Sequence, residues 1–340
     1  MKKNTHSETR RNHMETLERF LTCMIVCIVA LAAAAVFIGI NASKENHTSR
    51  LNPEINYEEN FFNYASREYV HHEYSFGPEF NLLNVIPYKN EDGVDLFRIE
   101  FANHPAQHFR LINHKGNDAA YESAAEQTTF KKFSKRHEKM IESARNFVIE
   151  FVNDSSFFKD KEFLIERIRN VPIYLYSESA NELLDTANAP AVHTGKAIYC
   201  DADFKNFFCE YMFVHELFHH LRYLTMGEKL SNVPDFASMF DEGVTDFLTV
   251  SMEPAMFTNN TYESGYAVFY PIIGKYFHVF GKEALEAYFY GYDDFYASKT
   301  STFKIEHEFF VSALDGYIEN YYCIVSTESM VNKWDAQYTV

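Results

Sequence analysis

Residues 215–219 read His-Glu-Leu-Phe-His, an H-E-x-x-H run. On a helix, residues four apart stand on one face with Cβ atoms about 5–6 Å apart. His215 and His219 can therefore grip one Zn2+ through ring nitrogens at about 2.0–2.1 Å. Glu216 then stands beside the open metal position, where a carboxylate can take a proton from a bound water. Zn2+ is the expected cofactor and Glu216 the expected general base. The run lies within FFCEYMFVHELFHHLRYLTMG. Its apolar positions Phe207, Met212, Val214, Leu217, Phe218, Leu221 and Leu224 suit a largely buried helix ended by Gly227. Two His and a Glu on such a helix are costly unless they have partners. His220 points about 100° off the metal face and is expected to be structural.

A third ligand must come from elsewhere. Residues 234–250, PDFASMFDEGVTDFLTV, open on Pro234-Asp235 as a helix start, and they place Glu242 and Asp246 four apart on one helical face. Together with H-E-x-x-H, this Glu-x-x-x-Asp helix resembles that of the gluzincins, the thermolysin-like branch of zinc peptidases. The resemblance implies that Glu242 is the third zinc ligand. It also implies that Asp246 accepts a hydrogen bond from His215 and so fixes its tautomer. Upstream, NAPAVHTGKAIYCDAD at 188–203 is similar to the strand that borders the cleft in that family. There Asn188 and Ala189 match positions that pair with substrate backbone, a form of strand addition. Pro190 departs from the pattern and removes one backbone donor. The family also uses a Tyr or His from a later helix to stabilise the developing oxyanion. Tyr266, just after Gly265, is the first choice for that role, with Tyr262, Tyr270 and His278 as alternatives. The aminopeptidase signature Gly-x-Met-Glu-Asn is absent, which favours an endopeptidase.

These motifs need elements to hold them. Phe133, Met140, Ala144, Phe147 and Phe151 recur at near-helical spacing, which predicts a helix from near Ala119 to Val152. A second helix is predicted over Phe157–Arg169. Strand-like runs follow at Val171–Tyr176 and Lys196–Cys200. Helices are predicted at about 204–226, 235–251 and 265–281, with further pieces to about 325. Short strands are predicted within 76–116, where Gly77-Pro78 and Pro87 interrupt apolar stretches. Strands first and helices after make an α+β fold. The resemblance specifies a zincin-like metallopeptidase domain: a small twisted sheet with an active-site helix, then a helical C-terminal lobe.

Ahead of the domain, Phe20–Ile40 is a run of 21 residues without charge. As a helix it spans roughly 30 Å, the thickness of a bilayer core, and it is too long for an ordinary cleaved signal core. Lys2, Lys3, Arg10, Arg11 and Arg19 precede it, so residues 1–19 are expected to stay cytoplasmic. The remainder is then extracytoplasmic on a single-pass signal anchor in the cell membrane. Residues 41–75 are expected as a juxtamembrane stalk and 76–340 as the metallopeptidase domain. A formal net charge of −17 repels phosphate backbones and excludes nucleic acid as the expected partner. The expected partner is a polypeptide substrate outside the cytoplasm. The competing expectation is a cell-surface binding or sensor domain with a structural or inactive metal site.

Overall fold

The computed structural model describes residues 56–71, 81–110, 130–176, 190–206, 208–227, 239–252, 266–315 and 321–339. All of them belong to one folded unit, Glu54–Val340. The expected span at 20–40 lies outside the described residues, and among those described no helix is long and apolar enough to cross a membrane.

The first element is a helix, α1 (Tyr57–His71), in a stretch expected to be stalk. It is part of the folded unit instead. Phe61 is fully buried and packs edge-to-face on Phe62, Phe247 and Phe277, and Tyr57 donates to Glu150 at 3.0 Å. The aromatic content of YEENFFNYAS is what anchors it, because each buried Phe removes a large apolar area from water. The domain therefore starts upstream of the expected boundary at residue 76.

Three strands follow, β1 (Leu82–Lys89), β2 (Asp95–Phe101) and β3 (Gln107–Arg110), paired antiparallel in that order. The β1–β2 turn is closed by Asn90, whose Oδ1 accepts from the N–H groups of Asp92 and Val94 at 3.0 and 2.9 Å. Alternate residues Phe97, Ile99 and Phe101 are buried, the pattern of a sheet with one face on a core. Phe97 and Phe109 pack on Phe309 of helix α8 (Phe303–Asp315), so this sheet leans on the C-terminal lobe.

Helix α2 (Lys135–Asp154) starts at Ser134, whose side chain accepts from His137 N–H at 3.3 Å. The expected start near Ala119 is thus too early: Phe133 precedes the helix, and residues 119–129 lie outside those described. Ile141, Ala144, Phe147, Val148, Phe151 and Val152 form its buried stripe. Helix α3 (Lys161–Asn170) leads into a second sheet of β4 (Ile173–Tyr176), β5 (Ala191–His193) and β6 (Ile198–Asp201). The order is β4-β6-β5, with β4 parallel and β5 antiparallel to β6. Strand β5 is therefore an edge strand among the described residues. Among the described residues the fold has two small sheets rather than one.

Helix α4 (Glu210–Met226) carries the H-E-x-x-H run and is buried nearly all round, against α2, α3, β5 and two later helices. It starts later than the expected 204, because Ala202–Phe204 is a short 3₁₀ turn capped by Asp201 and Cys209 is extended. The two later helices are α5 (Met239–Met252) and α6 (Tyr270–Tyr290). At Gly243 an added Cβ would come within 2.7 Å of the Ile273 Cδ1 methyl on α6, so a larger residue there requires that side chain to shift. A short α7 (Asp293–Ala297), α8 and α9 (Tyr321–Tyr338) complete the lobe. Cys200 and Cys209 are free thiols.

Candidate metal centre

Helices α4 and α5 bring three donor atoms together. His215 Nε2 and His219 Nε2 are 3.1 Å apart, and Glu242 Oε2 is 3.2 Å from the first and 3.5 Å from the second. A tetrahedral ion held at about 2.0–2.1 Å needs donors roughly 3.3–3.4 Å apart. The donor set of two imidazoles and one carboxylate suits Zn2+, and three ligands leave a fourth position open. Among the described residues this is the one group of three or more His, Cys, Asp or Glu placed to hold a metal ion.

The outer ring nitrogens face carboxylates. His215 Nδ1 lies 3.5 Å from Asp246 Oδ1, on the side where Asp246 was expected, but the two atoms form no hydrogen bond with each other. The other oxygen of Asp246 accepts from the Tyr270 hydroxyl at 2.5 Å. His219 Nδ1 lies 3.3 Å from Asp241 Oδ2 and 3.4 Å from Thr245 Oγ1. At His219 such outer partners fix the tautomer and turn the Nε2 lone pair inward.

Asp241 is itself held by a buried network. Arg222 pairs with it, the Tyr288 hydroxyl donates to it at 2.6 Å, and Thr245 meets that hydroxyl at 2.8 Å. The Arg222 guanidinium lies over the Tyr288 ring, 4.2 Å from its centroid, and its Nε donates to Tyr288 O at 3.1 Å. Burial pushes Asp241 up, but Arg222, His219 and the bonds from His219 and Tyr288 outweigh it and hold the carboxyl at about 2. Glu242 follows the same logic: burial opposes its charge, and the two imidazoles hold it well below the carboxylate range. Burial likewise opposes charge on His219, but Glu242 and Asp241 raise it well above the ordinary imidazole value. In Glu216 burial wins and raises the carboxyl, against the two His that favour its charge. No family model, curated protein or solved structure matches this chain.

The other expected site residues fall out as follows. Tyr266 stacks parallel on His215, with ring centroids 6.0 Å apart and planes 9° apart. Its hydroxyl bonds the Glu242 carboxylate, and burial followed by the surrounding carboxylates raises its pKa. Tyr270 is committed to Asp246, and His278 meets Ser66 at 3.3 Å. Asn188, Ala189 and Tyr262 lie outside the described residues. The strand expected to follow Asn188-Ala189 is β5, and it lies against α4. Sequence reasoning missed Asp241, Arg222, Thr245 and Tyr288. Two signals were available: Asp241 directly precedes Glu242, and Arg222 is the one Lys or Arg on its largely buried helix, one turn after His219.

Proposed function

We propose that this chain is a zinc-dependent endopeptidase of zincin-like architecture, anchored in the membrane by residues 20–40 and acting on extracytoplasmic polypeptides. The observation that carries the reading is the mutual spacing of 3.1, 3.2 and 3.5 Å among His215, His219 and Glu242, with Glu216 buried on the same helix. His215, His219 and Glu242 would hold Zn2+. Bound there, the ion would supply Lewis acidity, polarising the scissile carbonyl and making a water more acidic. Glu216 takes the proton from the attacking water and returns it to the leaving amine. Tyr266, stacked on His215 with its hydroxyl at Glu242, donates to the oxygen that becomes negative. Asp246 and Asp241 hold the two imidazoles in orientation.

The test uses the full chain and its Glu216→Gln variant. Zinc content, melting temperature and cleavage of a peptide library are measured on both. Glu216 is not a ligand, so the variant keeps its zinc and its fold. Its peptidase rate falls by about 10²-fold or more, since positioned proton transfer contributes roughly 10²–10⁴. A variant that cleaves at the wild-type rate sinks the mechanism. A zinc-loaded wild type that cleaves no peptide favours the binding-domain alternative.

A further inference from the structure

A third imidazole follows the motif. His220 is buried, with 5% of its surface exposed, and turns away from the donor cluster. It meets strand β5: His193 Nε2 and His220 Nδ1 are 3.1 Å apart. Gly195 N–H donates to His193 Nδ1 at 3.4 Å. In a neutral ring this leaves the proton of His193 on Nε2, from which it donates to His220 Nδ1. The main chain of the same residue serves Glu216, whose carboxylate is faced by the His193 backbone N–H. Farther along α4, Tyr223 lies flush on Gly195, which has φ 72° and where an added Cβ would come within 2.6 Å of the ring. Glu216, His220 and Tyr223 stand at i, i+4 and i+7, one stripe of the helix. In that order they meet the His193 N–H, the His193 ring and Gly195. The stripe fastens the edge strand to the helix at three successive turns.

We propose that His220 is a positioning residue for Glu216, acting through His193 to fix the general base relative to edge strand β5. The proposal rests on the peptidase reading. Without the imidazole bridge, His193 loses its side-chain tie to α4, and the N–H that faces Glu216 is free to drift with the strand. A carboxylate displaced from its water loses rate before it loses metal, because His215, His219 and Glu242 remain in place.

The test compares the full chain with His220→Ala, His220→Asn and His193→Ala. Zinc per chain, melting temperature, kcat, KM and hydrogen exchange at the β5 amides are measured on each. His220→Ala keeps its zinc and lowers kcat by about 10- to 100-fold, the usual effect of removing an outer partner, while β5 amides exchange faster. His220→Asn, whose side-chain amide can stand in for Nδ1, restores most of kcat. Unchanged kcat in His220→Ala overturns the proposal. So does a rise in KM alone, which would make His193 a substrate contact, and so does loss of zinc, which would make His220 a support of the metal. Two zinc ions in the wild type, falling to one in the variant, would make the His pair a second metal site and overturn it as well. If His220→Ala does not fold, His193→Ala carries the same comparison, since it deletes the ring and keeps the N–H. A wild type that binds zinc and cleaves nothing overturns the peptidase reading and this inference together. Failure of the inference alone leaves wild-type cleavage intact.

Discussion

His219 on α4 and His307 on α8 are both imidazoles inside a crowded interior, and their surroundings give them opposite chemistry. His219 has one nitrogen facing Asp241 and the other turned toward His215 and Glu242. His307 has both nitrogens taken by neutral hydroxyls, Nε2 by Tyr276 at 3.1 Å and Nδ1 by Tyr296 at 3.0 Å. Aromatic rings of Phe240, Tyr292, Phe303, Phe310 and Trp334 fill the space around it. Burial alone lowers His307 to about 3, whereas the carboxylates beside His219 overcome burial and raise it. Burial therefore does not make a site. A ligand imidazole needs an inward nitrogen left without a permanent hydrogen bond and an outward nitrogen held by a charged acceptor.

The comparison breaks most readily at the proposed ligands. His219→Ala and Glu242→Ala are expected to lose zinc by more than the roughly 100-fold in affinity that removal of an outer partner costs. His307→Leu is expected to keep a full zinc complement. Metal analysis after gel filtration checks both, and zinc loss from His307→Leu would abolish the distinction. The next largest effect is on folding. Arg222→Met leaves Asp241 as a buried charge without its cation and is expected to cost about 3–5 kcal/mol in denaturant unfolding. A wild-type midpoint would mean that Arg222 does not sustain that charge. Adding Asp241→Asn to Arg222→Met sharpens the same point. The double variant is expected to recover part of the stability while zinc affinity weakens by about 10- to 100-fold. Competition with a chelator measures the affinity, and unchanged affinity would remove Asp241 from the metal centre.

The most gradual effect, and the smallest per step of the measurement, belongs to His307. Its native pKa of about 3 lies below the ordinary 6.5, so between those values the unfolded chain binds a proton that the native chain does not. Stability contributed here is complete above pH 6.5 and is lost as pH falls toward 3. Within that window the wild type is expected to lose up to about 1.4 kcal/mol more per pH unit than His307→Phe. Parallel stability curves for the two proteins would show that the ring does not titrate on unfolding.

Much of the site was legible because it is local. His215 and His219 stand one helical turn apart, and Glu242 and Asp246 do likewise, so spacing alone puts each pair on one face, with Glu216 beside the first. The helix through 215–219 was legible from its apolar density, and β4 and β6 from short apolar runs. Boundaries were less so. Ser134, Asp201 and Cys209 end extended segments that continue an apolar pattern without a break, and only cap geometry marks where each helix begins. Residues 57–71 were misread because an aromatic, Glu-rich stretch looks the same whether its rings face water or Phe247 and Phe277.

The sequence by itself determined the chemistry available to this protein: two imidazoles at helical spacing with a carboxylate beside them, a carboxylate pair downstream, and an uncharged run long enough to span a bilayer. These are properties of residue type and local period, and they hold before the chain folds. Only the tertiary structure decided which nitrogens face inward. Asp241 became the partner of His219, Arg222 its counter-charge, and His193 the neighbour of Glu216 through contacts between residues at least 19 apart in the sequence. No local period encodes such contacts. They exist because buried charges must be paired and buried polar atoms bonded, and packing α4 against α5, α6 and β5 set which groups were within reach.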